Sequence, residues 1–253
     1  MYIRKGQMLA HVTDQGGSVT FWAYGEHTLL GPIRQVQTAD GLRLRGDSHW
    51  CFPQLGRPPA GELFQGWPDH GPLRHLGMKV CCSDQNAVSY SGELRLGRQP
   101  GWICDLRTIN RLTQEYEDVE PNMLEVRLGI KNMSQQTVPR MPVLPALHSY
   151  LNVAGGAVLK IGGRAIDFGI GAFGPLVVRR EVPIVLERAI GQVTICPSSN
   201  CESVVIWTDQ ASLYLGVELV FGGAPGSFNT PEGYTIGTLV NMYCTVAFQF
   251  VPA

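Results

Sequence analysis

The sequence predicts an all-β chain, a large antiparallel β-sandwich, and three observations carry that prediction. Apolar and polar residues alternate with period two in several segments. Thirty glycines and seventeen prolines punctuate the chain at short intervals, which suits many strands joined by turns. No stretch of about 12 residues or more keeps a 3.6-residue helical period between its breakers.

The alternating segments define the strands in order. Ser18 to Tyr24 comes first, then Ala87 to Leu96. In Leu124 to Lys131 the apolar Leu124, Val126, Leu128 and Ile130 face one way, and Glu125, Arg127 and Lys131 the other, as a half-buried strand requires. Ser203 to Thr208 and Met242 to Val251 read similarly. Two segments break the pattern. Arg45 to Arg74 is rich in proline and glycine and carries Trp50, Phe52, Phe64 and Trp67. Its aromatic content predicts an ordered loop packed against something. Gly155 to Gly174 is glycine-rich and is also expected to be a loop. There is no internal repeat or linker-like shift in composition, so one domain, residues 1–253, is expected.

Composition limits the function classes. The formal net charge is -1, so no bulk attraction to nucleic acid or to an anionic membrane is expected. No apolar run approaches the roughly 20 residues that span a bilayer. The first residues lack the apolar core of a secretory leader. The seven cysteines form no C-x-x-C pair, and their odd number argues against a disulfide framework. Buried free thiols in a reducing cytoplasm are the expectation. Metal-ligand spacing is not read either. His49 and Cys51 flank Trp50, and His70 and His75 stand five apart with a proline between, so no helical i, i+4 pair exists. Serine-nucleophile, phosphate-loop and dinucleotide motifs are absent.

Three segments carry the chemistry. The first is Arg45-Gly-Asp-Ser-His-Trp-Cys-Phe-Pro-Gln-Leu-Gly56 with His70-Gly-Pro-Leu-Arg74 after it. The second is Ala146-Leu-His-Ser-Tyr-Leu151. The third runs Val204-Val-Ile-Trp-Thr-Asp209, Tyr214-Leu-Gly-Val-Glu-Leu219 and Phe228-Asn-Thr-Pro-Glu-Gly233. In this order and spacing the set resembles the galactose mutarotase-like superfamily, particularly its glucose-6-phosphate 1-epimerase-like branch. The resemblance covers roughly residues 18 to 233. It implies the supersandwich of that superfamily, an aldose 1-epimerase activity without cofactor, and a small sugar or sugar phosphate as the ligand.

Exchanging the anomers of a hexopyranose requires a proton on the ring oxygen while another leaves the anomeric hydroxyl, so one group acts as acid while a second acts as base. A histidine and a carboxylate can divide this work near neutral pH. The resemblance implies that His148 protonates the ring oxygen and Glu218 takes the anomeric proton. It implies also that His70 bonds near the ring oxygen and that Arg45 and Arg74 hold hydroxyls or a phosphate. Arg45, Arg57 and Arg74 within one stretch favour a sugar phosphate, because the guanidinium fork matches a phosphate.

Each residue also has a plainer reading. Glu218 projects from the face opposite Leu213, Leu215, Val217 and Leu219, beside Gly216, whose missing side chain would leave room for a ligand; the same pattern fits a solvated carboxylate. Glu232, in a turn-like setting, is the rival carboxylate. His148 fits a satisfied, partly buried histidine and His70 a loop histidine capping a turn. Arg45 fits a surface pair with Asp47 or Asp40, and the other arginines pairs with Glu62 or Asp69. The five tryptophans are core by default, with one or two free to stack on a sugar ring. The chain departs from the superfamily pattern where an acidic residue is expected and Val182 or Pro183 stands, and where Leu219 replaces a proline. These departures keep two rivals open: a non-catalytic carbohydrate-binding β-sandwich, and a β-sandwich module of a larger assembly with no sugar role.

Overall fold

A computed structural model describes residues 1–38, 41–58, 66–96, 99–112, 122–133, 143–168, 171–209, 213–221 and 241–253. Strands are numbered in chain order. One sheet contains β1 (Tyr2–Lys5), β2 (Met8–Val12), β3 (Val19–Tyr24), β4 (His27–Leu30), β7 (Ser48–Cys51), β12 (Ala146–Asn152), β15 (Phe173–Arg179), β18 (Cys201–Thr208) and β19 (Tyr214–Phe221). Its order is β1-β2-β3-β4-β12-β19-β18-β15, with β7 pairing both β12 and β3. The second sheet contains β8 (Lys79–Ser83), β9 (Ala87–Leu96), β10 (Gln99–Leu112), β11 (Asn122–Asn132), β13 (Val158–Ile161), β14 (Arg164–Ile166), β16 (Ile184–Arg188), β17 (Gly191–Pro197) and β20 (Asn241–Pro252). It runs β14-β13-β16-β17-β20-β11-β10-β9-β8. A separate hairpin pairs β5 (Arg34–Thr38) with β6 (Gly41–Arg45). All pairings among the described residues are antiparallel, and the only helical turn among them is the 3-10 turn Leu73–His75.

The alternation in the sequence sets which residues meet between the sheets. On β11, Leu124, Val126, Leu128 and Ile130 are buried, while Arg127 and Lys131 are exposed. Each fully buried apolar side chain of this size contributes roughly 1.5–3 kcal/mol. The same core takes Trp22, Trp50, Leu147, Leu151, Val217 and Leu219 from the first sheet, Phe52 from the segment after β7, and Phe248 and Phe250 from the second sheet. Glu125 departs from the predicted outward face. It is buried and bonded by Arg127 Nε two residues on, which satisfies the carboxylate inside the protein.

Both segments predicted to be long loops contain strand. Within Gly155 to Gly174, β13 and β14 pair in register from Leu159–Ile166 to Ile161–Arg164. The two residues left at the tip are Gly162 and Gly163, both at positive φ, the requirement of a tight two-residue hairpin turn. Within Arg45 to Arg74, β7 inserts beside β12, and Trp50 and Phe52 are fully buried in the core. Trp67 packs against that core, as expected of an ordered aromatic loop, and Phe64 and Glu62 lie outside the described residues.

Candidate active site

β12 and β19 lie near the centre of their sheet, and the side away from the second sheet carries the site. Two small apolar clusters flank it there, one around Cys51, Ala146 and Val220 and the other around Val36, Tyr150 and Tyr214. His148 lies opposite Glu218 across the β12–β19 ladder and opposite His49 across the β12–β7 ladder. Directly opposed residues of antiparallel strands share a face, so the three side chains stand in a row. His148 Nε2 is 3.8 Å from Glu218 Oε1. His148 is 3% exposed and the Glu218 side chain 13%. Glu218 is therefore not the solvated carboxylate its alternation also fits.

Trp207, on neighbouring β18, donates from Nε1 to Glu218 Oε1 at 2.8 Å. It can reach because Gly216 lies opposite it in the ladder. A Cβ added at Gly216 would stand 2.9 Å from the indole ring. The space at Gly216 is therefore taken by Trp207, not left for a ligand as the sequence suggested. Trp22, Trp50 and Trp102 are core, and Trp207 is the tryptophan that lines the site, a distinction the sequence did not make.

The loop after β7 brings in His70 and Arg74. Its backbone is tied down by His70 N–H to Gly56 O at 2.7 Å and Leu73 N–H to Phe52 O at 3.4 Å. Gly71 sits at positive φ with Phe52 O only 2.2 Å from where a Cβ would be, so glycine is required for this approach. His70 itself has φ 66, the single non-glycine positive φ among the described residues. Its ring centroid is 5.4 Å from that of His148 and 6.4 Å from that of His49. Gly56 N–H donates to His70 Nδ1 at 3.3 Å, so in the neutral ring Nε2 carries the hydrogen. Burial, and then the nearby His49 and Arg74, lower the His70 pKa to about 4.

The electrostatics of the pair are opposed to those of the free side chains. Burial, followed by His49, His70, Arg74 and Arg45, holds His148 well below the usual histidine range. Burial raises Glu218, and the Trp207 hydrogen bond offsets part of that rise. Both shifts favour the neutral form. Asp47 accepts from His49 Nδ1 at 3.1 Å. Burial pushes the Asp47 carboxyl up, but His49 and Arg74 outweigh it and leave the group below its ordinary value.

Arg45, at the end of β6, bonds Asp209 Oδ2 through Nη2 at 3.1 Å. Its guanidinium lies 5.5 Å from the Trp207 ring centroid and 5.9 Å from that of Tyr150. Its partner among the described residues is thus Asp209 on the facing strand end, not Asp47 close by in sequence; Asp40 lies outside the described residues. Arg74 shows no ion pair within 4.0 Å among the described residues, yet it is close enough to act on His148, His70 and Asp47. Arg57 is exposed. Glu232 lies outside the described residues. Val182 packs against Gly162 and the core on the turn between β15 and β16.

The sequence singled out His148, Glu218, His70, Arg45 and Arg74, and the structure gathers them around one face. It adds His49, Asp47, Tyr150, Trp207 and Asp209. Cys51 joins them through β7, and the ligand atoms of His49, Cys51 and His148 lie within 4.8 Å of one another. The cysteines are all free, and Cys51, Cys104, Cys201 and Cys244 are buried, but Cys81 and Cys82 are exposed against the expectation of buried thiols.

The fold has relatives among solved structures. It superposes on the Slr1438 protein from Synechocystis sp. with a TM-score of 0.73 at 16% identity, covering 100% of this chain and 96% of that one. A galactose mutarotase related enzyme from Lactobacillus acidophilus gives 0.71 at 12% identity, covering 99% and 96%. A galactose mutarotase-like protein from Lactobacillus casei gives 0.70 at 13% identity, covering 99% of both chains. The chain has the galactose mutarotase-like fold. At the level of sequence, no family model and no curated protein matches it. Among the described residues no helix is long and apolar enough to cross a membrane.

Proposed function

We propose that the chain is an aldose 1-epimerase that interconverts the α and β anomers of a hexose or hexose 6-phosphate. The observation that carries this reading is the His148–Glu218 pair, opposed in register, 3.8 Å apart and almost fully buried. Burial holds resting His148 neutral, so the reactive form is the minor one in which His148 has taken up a proton. It gives that proton to the ring oxygen as the C1–O bond breaks, and the Glu218 carboxylate takes the proton of the anomeric hydroxyl as the carbonyl forms. Rotation about C1–C2 and the reverse transfers close the ring on the other face. The pair enters the ring-open state as neutral imidazole and neutral carboxyl. Burial disfavours the charged forms of both groups, so it lowers the cost of reaching that state. His70 Nε2–H donates to an oxygen of the sugar beside His148, and Tyr150 and Trp207 supply apolar faces for the ring.

Arg45 and Arg74 hold hydroxyls or a phosphate. Because Arg45 already bonds Asp209, a phosphate preference rests mainly on Arg74. The rival non-catalytic sugar-binding reading draws on Val182, an apolar residue packed on the core where the resemblance implies an acidic one.

Exchange between anomer signals by NMR tests the proposal, across glucose, galactose and their 6-phosphates. Protein should accelerate exchange for at least one of them, and preference for the phosphate should weaken as ionic strength rises. Sugar binding without acceleration for any member of the panel would favour the non-catalytic rival.

A further inference from the structure

His49 and Cys51 are two residues apart on β7 and so face the same way, with His49 opposite His148 and Cys51 opposite Ala146. The ligand atoms of His49, Cys51 and His148 all lie within 4.8 Å of one another. His49 is 1%, Cys51 0% and His148 3% exposed. His49 Nε2 and both ring nitrogens of His148 are buried without a hydrogen-bond partner. Asp47 Oδ1 sits 3.1 Å from His49 Nδ1, which keeps the hydrogen on that nitrogen and leaves the lone pair of Nε2 for a ligand. A carboxylate placed behind an imidazole in this way orients and strengthens metal-binding histidines.

Buried nitrogens without partners are costly unless something binds them. A sugar hydroxyl can satisfy His49 Nε2, but it has little to offer the weakly bonding Cys51 thiol. A cation that accepts nitrogen and thiolate donors engages all three residues. We propose that His49, Cys51 and His148 form a binding site for one zinc ion. Two imidazoles and a thiolate suit zinc, whereas magnesium and calcium take oxygen donors. Zinc bonds of about 2.0–2.1 Å to nitrogen and about 2.3 Å to sulfur set two tetrahedral nitrogens and one sulfur roughly 3.3–3.6 Å apart. Donors no more than 4.8 Å apart need to close by at most about 1.5 Å to reach that spacing. On binding, the Cys51 S–H bond breaks, its proton leaves to solvent and the sulfur–zinc bond forms, with no change of oxidation state. Because His148 is shared, zinc excludes anomer exchange; this consequence alone rests on the acid–base reading above.

The test is a cobalt and zinc titration of the metal-free full chain carrying Cys81→Ser and Cys82→Ser, which removes the two exposed neighbouring thiols. One zinc should bind per chain by calorimetry. Cobalt should give visible bands of a tetrahedral site and a near-ultraviolet thiolate-to-cobalt band, both erased by added zinc. In this background Asp47→Asn should weaken zinc binding by about 10–100-fold, and His49→Asn or Cys51→Ser by more than that. Cys51→Ser should also remove the charge-transfer band. Binding well below one ion per chain, no thiolate band with cobalt, or unchanged zinc affinity in the folded variants would overturn the site. Should Cys51→Ser fail to fold, the cobalt spectrum of the parent decides. None of these readouts depends on turnover.

Discussion

Trp50, Leu147 and Leu219 point to one side of β7, β12 and β19, while His49, His148 and Glu218 point to the other. The two trios alternate along the same strands and are both largely hidden, the inner residues at 0% exposure, His49 and His148 at 1% and 3%, and the Glu218 side chain at 13%. They differ in what surrounds their atoms. Apart from Trp50 Nε1, the inner trio buries carbon against carbon in the main core. The outer trio buries ionisable atoms, three of whose nitrogens lack partners. Burial therefore stabilises on one face and strains on the other, and the strained face is where proton transfer is proposed.

The largest test of this contrast removes the outer chemistry without changing shape. Glu218→Gln and His148→Asn should each slow anomer exchange on the order of 10²–10⁴-fold, with sugar affinity less affected. Wild-type rates in Glu218→Gln would remove Glu218 from the role of base.

The inner face should respond in stability instead. Leu147→Ala should cost about 2–5 kcal/mol in denaturant unfolding. Glu218→Gln should do the reverse at pH 7. The folded pKa of Glu218 lies above its unfolded value, so stability is lost as pH rises through that window, and a neutral amide escapes the loss. A destabilised Glu218→Gln at pH 7 would show that the carboxylate is better compensated than its surroundings indicate.

Acid should reveal the buried histidines. His70 is held at about 4 and His148 is also lowered, whereas both titrate near 6.5 when unfolded. As pH falls from about 6.5 toward 4 the unfolded chain binds protons that the native chain does not, so stability declines through that window. Unfolding free energies at half-unit pH steps measure the slope, and His70→Asn should flatten it.

The smallest effect belongs to Trp207. Trp207→Phe removes the donor that favours the Glu218 carboxylate, and a hydrogen bond to a charged group contributes roughly 1.5–3 kcal/mol. The acidic limb of the pH–rate profile should move up by about one to two pH units. An unmoved limb would mean that the limb reports another group.

The sequence by itself determined the all-β class, most long strands and five residues of the candidate site. Alternation is a local property, so Ala87–Leu96 and the inward row on β11 could be read directly. Where local cues conflicted, the reading failed. Glycine density hid the β13–β14 hairpin, whose strands are three and four residues long around a Gly-Gly turn. Proline and glycine around β7 likewise masked a four-residue strand.

Only the tertiary structure decided which residues share a face across strands, because register joins positions about 100 residues apart. That pairing sets His49 and Cys51 beside His148 and lets Trp207 fill the gap at Gly216, while the packing of the separate β5–β6 hairpin gives Arg45 its partner in Asp209. It also decided that the face bearing Glu218 is covered. A strand's period states only that two sides differ, and what packs on each side is fixed by the rest of the chain.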